Sequence, residues 1–237
     1  LIGAQSIAIT RDGQHLYVAS AIDDALVMFA RDESSGLLTY LGHLKQGVAG
    51  VDGLLEPTAI RESADGKNLY VAAVSSNSLS VFDRDPTTGL VTFAQKLTGT
   101  TTGAFSVDLS PDQRHVYLSS ANGVNVYERD LATGHLTLIQ TVTNSTAGFS
   151  TLNRPLGISV SPDGENVYVA ASLSQGVVVL NRDAATGHVS FNQFVADPFT
   201  TGNPDPVAVL VSPDGHHVAV AYETAGGLAI YSRENAT

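Results

Sequence analysis

The 237-residue sequence contains no cysteine and no tryptophan, and only three lysines. Without cysteine, the chain forms no disulfide, offers no thiolate to a metal and has no cysteine nucleophile. Without tryptophan, it lacks one common side chain for stacking a sugar or a flat cofactor. The seven histidines are scattered and match no zinc-binding pattern, and the sequence contains no calcium loop of alternating aspartates that ends in a glutamate. The sequence therefore predicts no metal site and no cofactor.

The balance of charge excludes two classes of partner. The net charge is −11, which opposes the phosphate neutralisation that nucleic-acid binding requires. No apolar run is long enough to span a bilayer, so we expect no insertion into a membrane. The scarcity of lysine and the many Ser, Thr, Asn and Gly residues in the loops favour a location outside the cytoplasm, whether secreted, periplasmic or on the cell surface.

Three short motifs recur along the chain with one common period. The first is a polar turn centred on an aspartate, and these aspartates step by 53, 47, 51 and 51 residues. The second is an Arg-Asp pair, which is Arg-Glu in the last copy, and the third is a glycine that precedes a short apolar run. The three sets are Asp12, Asp65, Asp112, Asp163 and Asp214; Arg31, Arg84, Arg129, Arg182 and Arg233; and Gly36, Gly89, Gly134 and Gly187. Motifs that share a period indicate five copies of one structural unit.

Each copy has the periodicity of short β-strands, rich in β-branched and aromatic residues. In the fourth copy, the predicted strands a to d are residues 155–161, 166–172, 176–183 and 189–195. Four-stranded antiparallel units at this period are typical of a β-propeller, in which each unit forms one blade. The sequence therefore predicts a single all-β propeller domain or segment. Its repeats are expected at about 1–53, 54–102, 103–153, 154–204 and 205–237.

The number of predicted strands in each repeat indicates how many complete blades the chain contains. The chain contains five sets of strands a, b and c but only four strands d, so the last repeat lacks its outer strand. Two interpretations follow from this count. The chain is a segment of a longer protein, whose remaining blades would then be its partners, or it is a complete protein with an unusual three-stranded last blade. We favour the first interpretation.

The loops of a propeller divide between two faces, with the a–b and c–d turns on one and the b–c and d–a loops on the other. The a–b and c–d turns recur from copy to copy, which folding explains, whereas the b–c and d–a loops differ and are free to recognise a ligand. We therefore expect a binding site on the b–c/d–a face, with a small molecule, a carbohydrate or a protein as the partner.

Polar residues in the b–c and d–a loops are the candidate site residues. Acidic groups that face an arginine can orient a polar ligand or polarise a carbonyl. The alternative is that these residues are solvated loop positions of an acidic protein. The candidate catalytic residues are Arg154 and Glu223, and the candidate ligand-binding residues are Asp23, Asp24, Asp52, Glu56, Asn77, Asn122, Gln175 and Asp205.

Two further groups of residues have structural interpretations. His15, His115 and His216 follow the a–b turn and are expected to face solvent. The recurring Arg-Asp pair is expected to form ion pairs and turn hydrogen bonds in the outer part of each blade, because a residue needed in every repeat is explained by folding.

Residues 161–170, Ser-Pro-Asp-Gly-Glu-Asn-Val-Tyr-Val-Ala, and residues 177–187 resemble the lactonase-type propeller family, which includes 6-phosphogluconolactonase-like proteins and bacterial repeat proteins. The resemblance extends blade by blade over the whole chain. It implies a seven-bladed propeller, of which this chain supplies five blades. It also implies, for catalytic members, a Pro-x-His or Pro-Arg-His element at the start of strand a and an acidic residue shortly after strand b.

The chain departs from that catalytic pattern. Pro57, Pro155 and Pro206 begin strands a, but no histidine follows any of them. Arg154 precedes its proline rather than following it, and Glu223 is the acid that suits the second position. We therefore favour a non-catalytic binding or scaffold module of a larger bacterial protein. The alternative is a lactone hydrolase, 6-phosphogluconolactonase-like, with its site on the b–c/d–a face. A quinone-dependent dehydrogenase is disfavoured because tryptophan is absent.

Overall fold

The computed structural model describes residues 1–98, 102–198, 205–224 and 226–233. These residues form nineteen strands in five antiparallel sheets, and only a 3₁₀ turn at Ser172–Ser174 is helical. Four sheets have four strands and the last has three, and in every sheet the strands are neighbours in chain order. This confirms the β-propeller class predicted from the repeat, with each sheet as one blade. None of the described segments is a helix that could cross a membrane.

The strand bounds follow the predicted order a, b, c and d in each blade. Blade 1 contains β1 (Ala4–Ile9), β2 (His15–Ser20), β3 (Ala25–Arg31) and β4 (Leu38–Lys45); blade 2 contains β5 (Pro57–Glu62), β6 (Asn68–Ala73), β7 (Ser78–Arg84) and β8 (Val91–Thr98); blade 3 contains β9 (Ala104–Leu109), β10 (His115–Ser120), β11 (Gly123–Arg129) and β12 (Leu136–Thr143); blade 4 contains β13 (Pro155–Val160), β14 (Asn166–Ala171), β15 (Gly176–Arg182) and β16 (Val189–Ala196); blade 5 contains β17 (Pro206–Val211), β18 (His217–Tyr222) and β19 (Gly227–Ser232).

The chain divides into two compact units. Unit 1 contains residues 1–107 and 130–136, and unit 2 contains residues 108–129 and 137–237. Unit 1 therefore holds blades 1 and 2 with part of blade 3, and unit 2 holds the rest of blade 3 with blades 4 and 5.

Strand β14 shows why the inner strands of a blade are buried. Successive side chains of a strand point to opposite faces of the sheet. Val167 and Val169 pack in one apolar cluster with residues of blade 3, whereas Tyr168 and Ala170 pack in another with residues of blade 5. Because the blade has a neighbour on each face, β14 contains an almost continuous apolar run rather than a polar and apolar alternation.

The arginine at the end of strand c joins its blade to the preceding one. In unit 2, Arg182 donates from Nε to the Tyr117 hydroxyl (2.8 Å), from Nη1 to the Gly164 carbonyl (3.0 Å) and from Nη2 to Asp112 Oδ2 (2.7 Å). Gly164 belongs to the same blade as the arginine, whereas the other two partners belong to blade 3. We call this set of contacts the arginine clasp. The equivalent clasps join Arg84 to Tyr17, Gly66 and Asp12 in unit 1, and Arg233 to Tyr168, Gly215 and Asp163 in unit 2.

The recurring glycine of the c–d turn completes the same junction. The Tyr117 hydroxyl donates to the Gly187 carbonyl at 2.9 Å, and the His115 ring packs against the glycine so closely that a Cβ there would lie 2.1 Å from the ring. Gly89 and Gly134 make the equivalent contacts with Tyr17 and Tyr70 in unit 1. All three recurring motifs thus meet at one blade-to-blade junction.

The predicted role of the Arg-Asp pair is confirmed in part. The aspartate of the pair makes turn hydrogen bonds, as Asp183 does by accepting from the backbone of Ala185 and Thr186. The arginine forms an ion pair, but with the a–b turn aspartate of the preceding blade rather than with a neighbour in sequence. Its side chain is almost wholly buried, with 1% of the Arg182 side chain exposed.

The prediction that His15 and His115 face solvent is wrong, whereas His216 is exposed as expected. Both buried histidines lie inside clasps, where Arg84 donates to His15 Nδ1 at 2.8 Å and Arg182 donates to His115 Nδ1 at 2.9 Å. Because arginine only donates, each imidazole accepts through Nδ1 and is neutral. Burial first, and then the adjacent arginine charge, lower the pKa of both histidines.

A pH dependence of stability follows from these two histidines. In the unfolded chain they bind protons as the pH falls through about 6.5, while the folded chain does not until lower pH. The free energy of unfolding should therefore decrease between pH 7.5 and 5.5. We expect the double variant His15→Asn and His115→Asn to lose part of this decrease, because Asn166 accepts the same arginine bond in its clasp. Thermal melts at the two pH values measure this difference.

The matched control is His216→Asn, which replaces an exposed histidine. It should keep the pH dependence of the unsubstituted chain. If the double variant kept that dependence in full, the assignment of neutral, buried imidazoles to the clasps would be rejected.

Candidate functional site

The d–a and b–c loops meet through a hydrogen bond that recurs from blade to blade. The carbonyl of the residue just before strand a accepts from the backbone N–H of the residue just after strand b. The four pairs are Gly3 and Ala21 (2.7 Å), Glu56 and Val74 (3.0 Å), Arg154 and Ser172 (3.0 Å), and Asp205 and Glu223 (3.0 Å). The backbone of these loops is therefore more regular than their sequences suggest. The residue whose carbonyl accepts this bond is a glycine, an acid or an arginine, depending on the blade. Its side chain therefore varies while the backbone hydrogen bond is kept.

In unit 1, the acidic candidates mainly hold the loops together. Asp24 Oδ1 accepts from the backbone N–H of Glu56 at 2.8 Å, and the Glu56 carboxylate accepts from the Ser75 hydroxyl. Asp24 and Glu56 both have positive φ, at 51° and 55°. Side chains that brace a strained backbone serve the fold first.

Asp23 and Asp52 are also engaged within unit 1. Asp23 Oδ2 accepts from the Ile2 backbone at 2.7 Å and from the Ser20 hydroxyl at 3.0 Å, and these bonds lower the pKa of Asp23. The Gln46 side-chain hydrogen bond and then Lys96, at 2.9 Å, lower the pKa of Asp52 to about 2. Both carboxylates are therefore ionised acceptors whose capacity is largely used by the loops.

Asn77 differs from the other candidates of unit 1. It ends the b–c loop of blade 2 with φ of 51°, and its side-chain oxygen is buried without a hydrogen-bond partner. Buried polar atoms are nearly always paired with protein or with ordered water. Asn77 is thus the one predicted residue of unit 1 that presents an unused acceptor.

In unit 2, the structure brings Arg154 and Asp205 together. Arg154 Nη1 lies 4.0 Å from Asp205 Oδ2, with 46% of the arginine side chain and 22% of the aspartate side chain exposed. Asp205 Oδ1 is buried and has no partner. The arginine keeps most of its donors available, because its only ion pair in the described residues is this long one.

Two hydroxyl groups that the sequence analysis did not select lie in the same loops. Thr151 Oγ1, three residues before Arg154, and Ser172 Oγ, whose backbone bonds to Arg154, are both buried without a partner. A signal for Ser172 exists in the repeat. The residue just after strand b is Ala21 in blade 1 and Val74 in blade 2, and it becomes polar only in blades 4 and 5.

The other predicted residues of unit 2 lie in b–c loops. Glu223 is exposed and contributes its backbone N–H to the Asp205 carbonyl. Gln175 has φ of 59° and accepts through its carbonyl from the Asp197 backbone at 3.0 Å. Asn122 is exposed in the two-residue turn between β10 and β11. The side chains of Arg154 and Asp205 are therefore paired, and Glu223 joins Asp205 through the backbone alone, whereas Gln175 and Asn122 lie in loops of their own blades.

Among the described residues, no three His, Asp or Glu side chains lie close enough together to bind one metal ion. The loops that contain Arg154, Ser172 and Asp205 offer three buried oxygens without a hydrogen-bond partner, those of Thr151, Ser172 and Asp205. Such a set can bind a molecule that carries several hydroxyl groups and an oxygen-rich head.

Comparison with known proteins decides the family. The sequence matches the family model described as "Lactonase, 7-bladed beta-propeller" over residues 2–107 and 102–237. The chain belongs to this lactonase family. No curated protein matches the sequence.

Solved structures share the lactonase-family fold at low sequence identity. A protein from Lactobacillus plantarum superposes with a TM-score of 0.82 at 20% identity, over 98% of this chain and 67% of its own. The periplasmic gluconolactonase of Pseudomonas aeruginosa gives 0.78 at 20% identity, over 98% and 68%. A candidate 6-phosphogluconolactonase from Bacteroides fragilis gives 0.71 at 22% identity, over 85% and 55%. The chain thus spans about half to two thirds of the length of these proteins.

One position tests the catalytic element that the family resemblance implies. In a Pro-x-His element beginning at Pro155, the histidine would replace Gly157. A Cβ on Gly157 would lie 2.8 Å from the backbone of Ala208 in the neighbouring strand a, so no side chain fits there without displacing that strand. The lactonase-family histidine has no place at the start of β13.

Proposed function

We propose that this chain is a non-catalytic binding module of a lactonase-type propeller, and that it takes a small polyhydroxylated molecule such as a sugar acid. The proposed site lies in unit 2 and is formed by Thr151, Arg154, Ser172 and Asp205. The observation that carries the proposal is the set of three buried oxygen atoms there without hydrogen-bond partners.

The unpaired atoms define the chemistry of the ligand. Asp205 Oδ1 can only accept while ionised, so it requires a donor such as a sugar hydroxyl. The hydroxyls of Thr151 and Ser172 can donate or accept, which suits further hydroxyls. Arg154 supplies several donors in a planar fork that matches a carboxylate. A polyhydroxylated acid carries a complementary group for each of the four residues.

The absence of the implied histidine element at Pro155 supports binding over hydrolysis. The two buried histidines of the chain are used in arginine clasps, where burial keeps them neutral. Hydrolysis of a lactone needs a base within reach of the attacking water. Of the predicted site residues in unit 2, the two carboxylates are Asp205, which is paired with Arg154, and Glu223, which is exposed.

Membership of the lactonase family supports a second candidate function, lactone hydrolysis at the same loops. Arg154 would polarise the lactone carbonyl, and Glu223 would remove a proton from the attacking water. The substrate class would be that of the gluconolactonase and 6-phosphogluconolactonase relatives. Glu223→Gln distinguishes the two candidate functions. It should abolish turnover if the protein is a lactone hydrolase, and it should leave ligand binding intact if the protein is a binding module.

Binding of gluconate, compared with neutral glucitol, tests the role of Arg154. We expect Arg154→Gln to weaken gluconate binding by roughly tenfold to a hundredfold, since a charge-assisted hydrogen bond is lost. Glucitol, which has no carboxylate, should change little. Titration calorimetry measures both affinities.

Arg114→Gln is the matched control for Arg154→Gln. It removes one positive charge from an exposed position of unit 2 outside the proposed site, and it should leave both affinities unchanged. Equal weakening by the two substitutions would show that net charge, rather than a site at Arg154, governs the binding.

We also propose that the protein works outside the cytoplasm. The few lysines and the periplasmic location of the Pseudomonas aeruginosa relative support this. Fractionation of the source cells tests the proposal, and recovery of the protein only with cytoplasmic markers would overturn it.

A further inference from the structure

Glu62, the last residue of strand β5, is a buried carboxylate with no counterpart in the other blades. Only 6% of its side chain is exposed. The residue at this position, just before the Ser or Thr of the a–b turn, is apolar in the other four blades, where it is Ile9, Leu109, Val160 and Val211. The turn therefore forms without a carboxylate, and the fold alone does not explain Glu62.

Glu62 brings a second negative charge to the Arg84 clasp, the junction between blades 1 and 2. Glu62 Oε1 lies 3.5 Å from Arg84 Nη1, and Asp12 Oδ2 lies 3.5 Å from Arg84 Nη2. Glu62 Oε2 accepts from the Arg11 backbone N–H at 3.0 Å. Because His15 is neutral, the clasp holds two carboxylates against one guanidinium.

The donors of Arg84 are committed to neutral acceptors rather than to these carboxylates. Its guanidinium nitrogens lie 2.7 to 2.8 Å from the tyrosine hydroxyl, the glycine carbonyl and the histidine of the clasp. Each carboxylate stays at 3.5 Å. In the Arg182 clasp, where valine replaces Glu62, the arginine lies 2.7 Å from Asp112. Two carboxylates that share one arginine thus each pair with it loosely.

Burial raises the pKa of Glu62, and the charge of Asp12 adds to this rise, while the Arg11 N–H and Arg84 oppose it. Tyr17 is the other titratable group that faces Glu62. A carboxyl group whose pKa is raised by folding binds a proton more readily in the folded chain than in the unfolded chain, where it titrates near about 4.3. Its protonation therefore stabilises the fold as the pH falls from neutral towards about 4.3, opposite in sign to the buried histidines.

We infer that Glu62 makes the junction between blades 1 and 2 a pH-sensitive contact that tightens in acid. At neutral pH, the ionised Glu62 competes with Asp12 for Arg84 and weakens the junction. As the surroundings acidify, Glu62 takes up a proton from solvent, and Arg84 is left to pair closely with Asp12, as Arg182 pairs with Asp112. The Arg182 clasp, with valine at the equivalent position, lacks this response.

Glu62→Gln tests the inference, since the amide keeps the shape of the carboxyl group and removes its charge. At pH 7.5 the substitution should raise Tm by about 2 to 4 °C, and at pH 4.5, where Glu62 itself is protonated in the folded chain, by less than about 1 °C. A lower Tm at pH 7.5 would make Glu62 an ordinary stabilising partner of Arg84, and an unchanged Tm would make it a bystander. Either result would overturn the inference. The matched control, Glu165→Gln, replaces an exposed glutamate after the a–b turn of blade 4 and should leave Tm unchanged at both pH values.

A second experiment tests the competition for Arg84. Asp12→Asn should lower Tm at pH 7.5 by about 2 °C more in the Glu62→Gln background than in the unsubstituted chain, because Asp12 is then the only carboxylate beside Arg84. Equal losses in the two backgrounds would overturn the inference. The unsubstituted chain gives a direct readout by ¹³C NMR, with the Glu62 carboxyl signal assigned by its absence in Glu62→Gln. Its titration midpoint should lie above about 4.3, and a midpoint at or below that value would also overturn the inference.

Discussion

Replacing Arg182 by alanine is expected to lower the free energy of unfolding by about 3 to 5 kcal/mol, because three hydrogen bonds of a buried, charged side chain are lost together. The substitution leaves the Tyr117 hydroxyl, the Gly164 carbonyl and Asp112 without the donors that Arg182 supplies. For a protein of this size, such a loss corresponds to a fall in Tm of roughly 6 to 20 °C. Denaturant titration and thermal melts measure the two quantities.

The chain contains its own control for Arg182. Arg31 occupies the equivalent position at the end of β3, but within the described residues it is only half-buried and bonds to the Gly13 carbonyl alone. Arg31→Ala should therefore cost about 1 kcal/mol. Similar losses for the two substitutions would contradict the claim that the clasp, rather than the arginine itself, stabilises the blade junction.

Replacing Gly187 by alanine is expected to destabilise the protein by about 3 kcal/mol, from two separate causes. Its φ of 76° costs a residue with a Cβ about 1 to 2 kcal/mol. The Cβ would also lie 2.1 Å from the His115 ring, and relieving that overlap costs about 1 to 3 kcal/mol more. The free energy of unfolding from denaturant titration checks the sum.

Gly36→Ala measures the first cause alone, so that the second follows by difference. Gly36 has nearly the same φ, 74°, but a Cβ there would meet no atom closer than 3.9 Å. We expect it to cost only the backbone term. If Gly36→Ala and Gly187→Ala were equally destabilising, the recurring glycine would be explained by turn geometry, and close contact between blades would not be needed.

The fold could be predicted from the sequence because its signals are local. In blade 4, the predicted strands at 155–161, 166–172, 176–183 and 189–195 agree with β13 to β16 to within one residue at each end. Alternating β-branched residues and Asp-Gly turns specify these bounds without reference to the rest of the chain.

The burial of His15 and His115 could not be predicted in this way. A polar residue after a turn is ordinarily solvated, and what covers each imidazole is the c–d turn and arginine of the next blade, about 70 residues later. The recurrence of three motifs showed that they serve the fold, but their meeting at one junction depends on contacts between blades.

The candidate site was accessible to sequence reasoning only in part. Loop divergence selected Arg154 and Asp205, whose side chains the structure pairs, but it also selected Asp24 and Asp52, whose carboxylates mainly hold loops together. Sequence divergence cannot distinguish an engaged carboxylate from an unpaired one. That distinction rests on hydrogen-bond partners, which only the three-dimensional arrangement supplies.

The most direct test of the proposed function is to measure binding and turnover on the same preparation of this chain. Calorimetric titration with gluconate is run beside hydrolysis of glucono-1,5-lactone and 6-phosphogluconolactone, each corrected for the uncatalysed rate. We predict saturable gluconate binding that is lost in Asp205→Ala, and no hydrolysis above background. Lactone turnover that disappears in Glu223→Gln would contradict the binding module and establish the hydrolase.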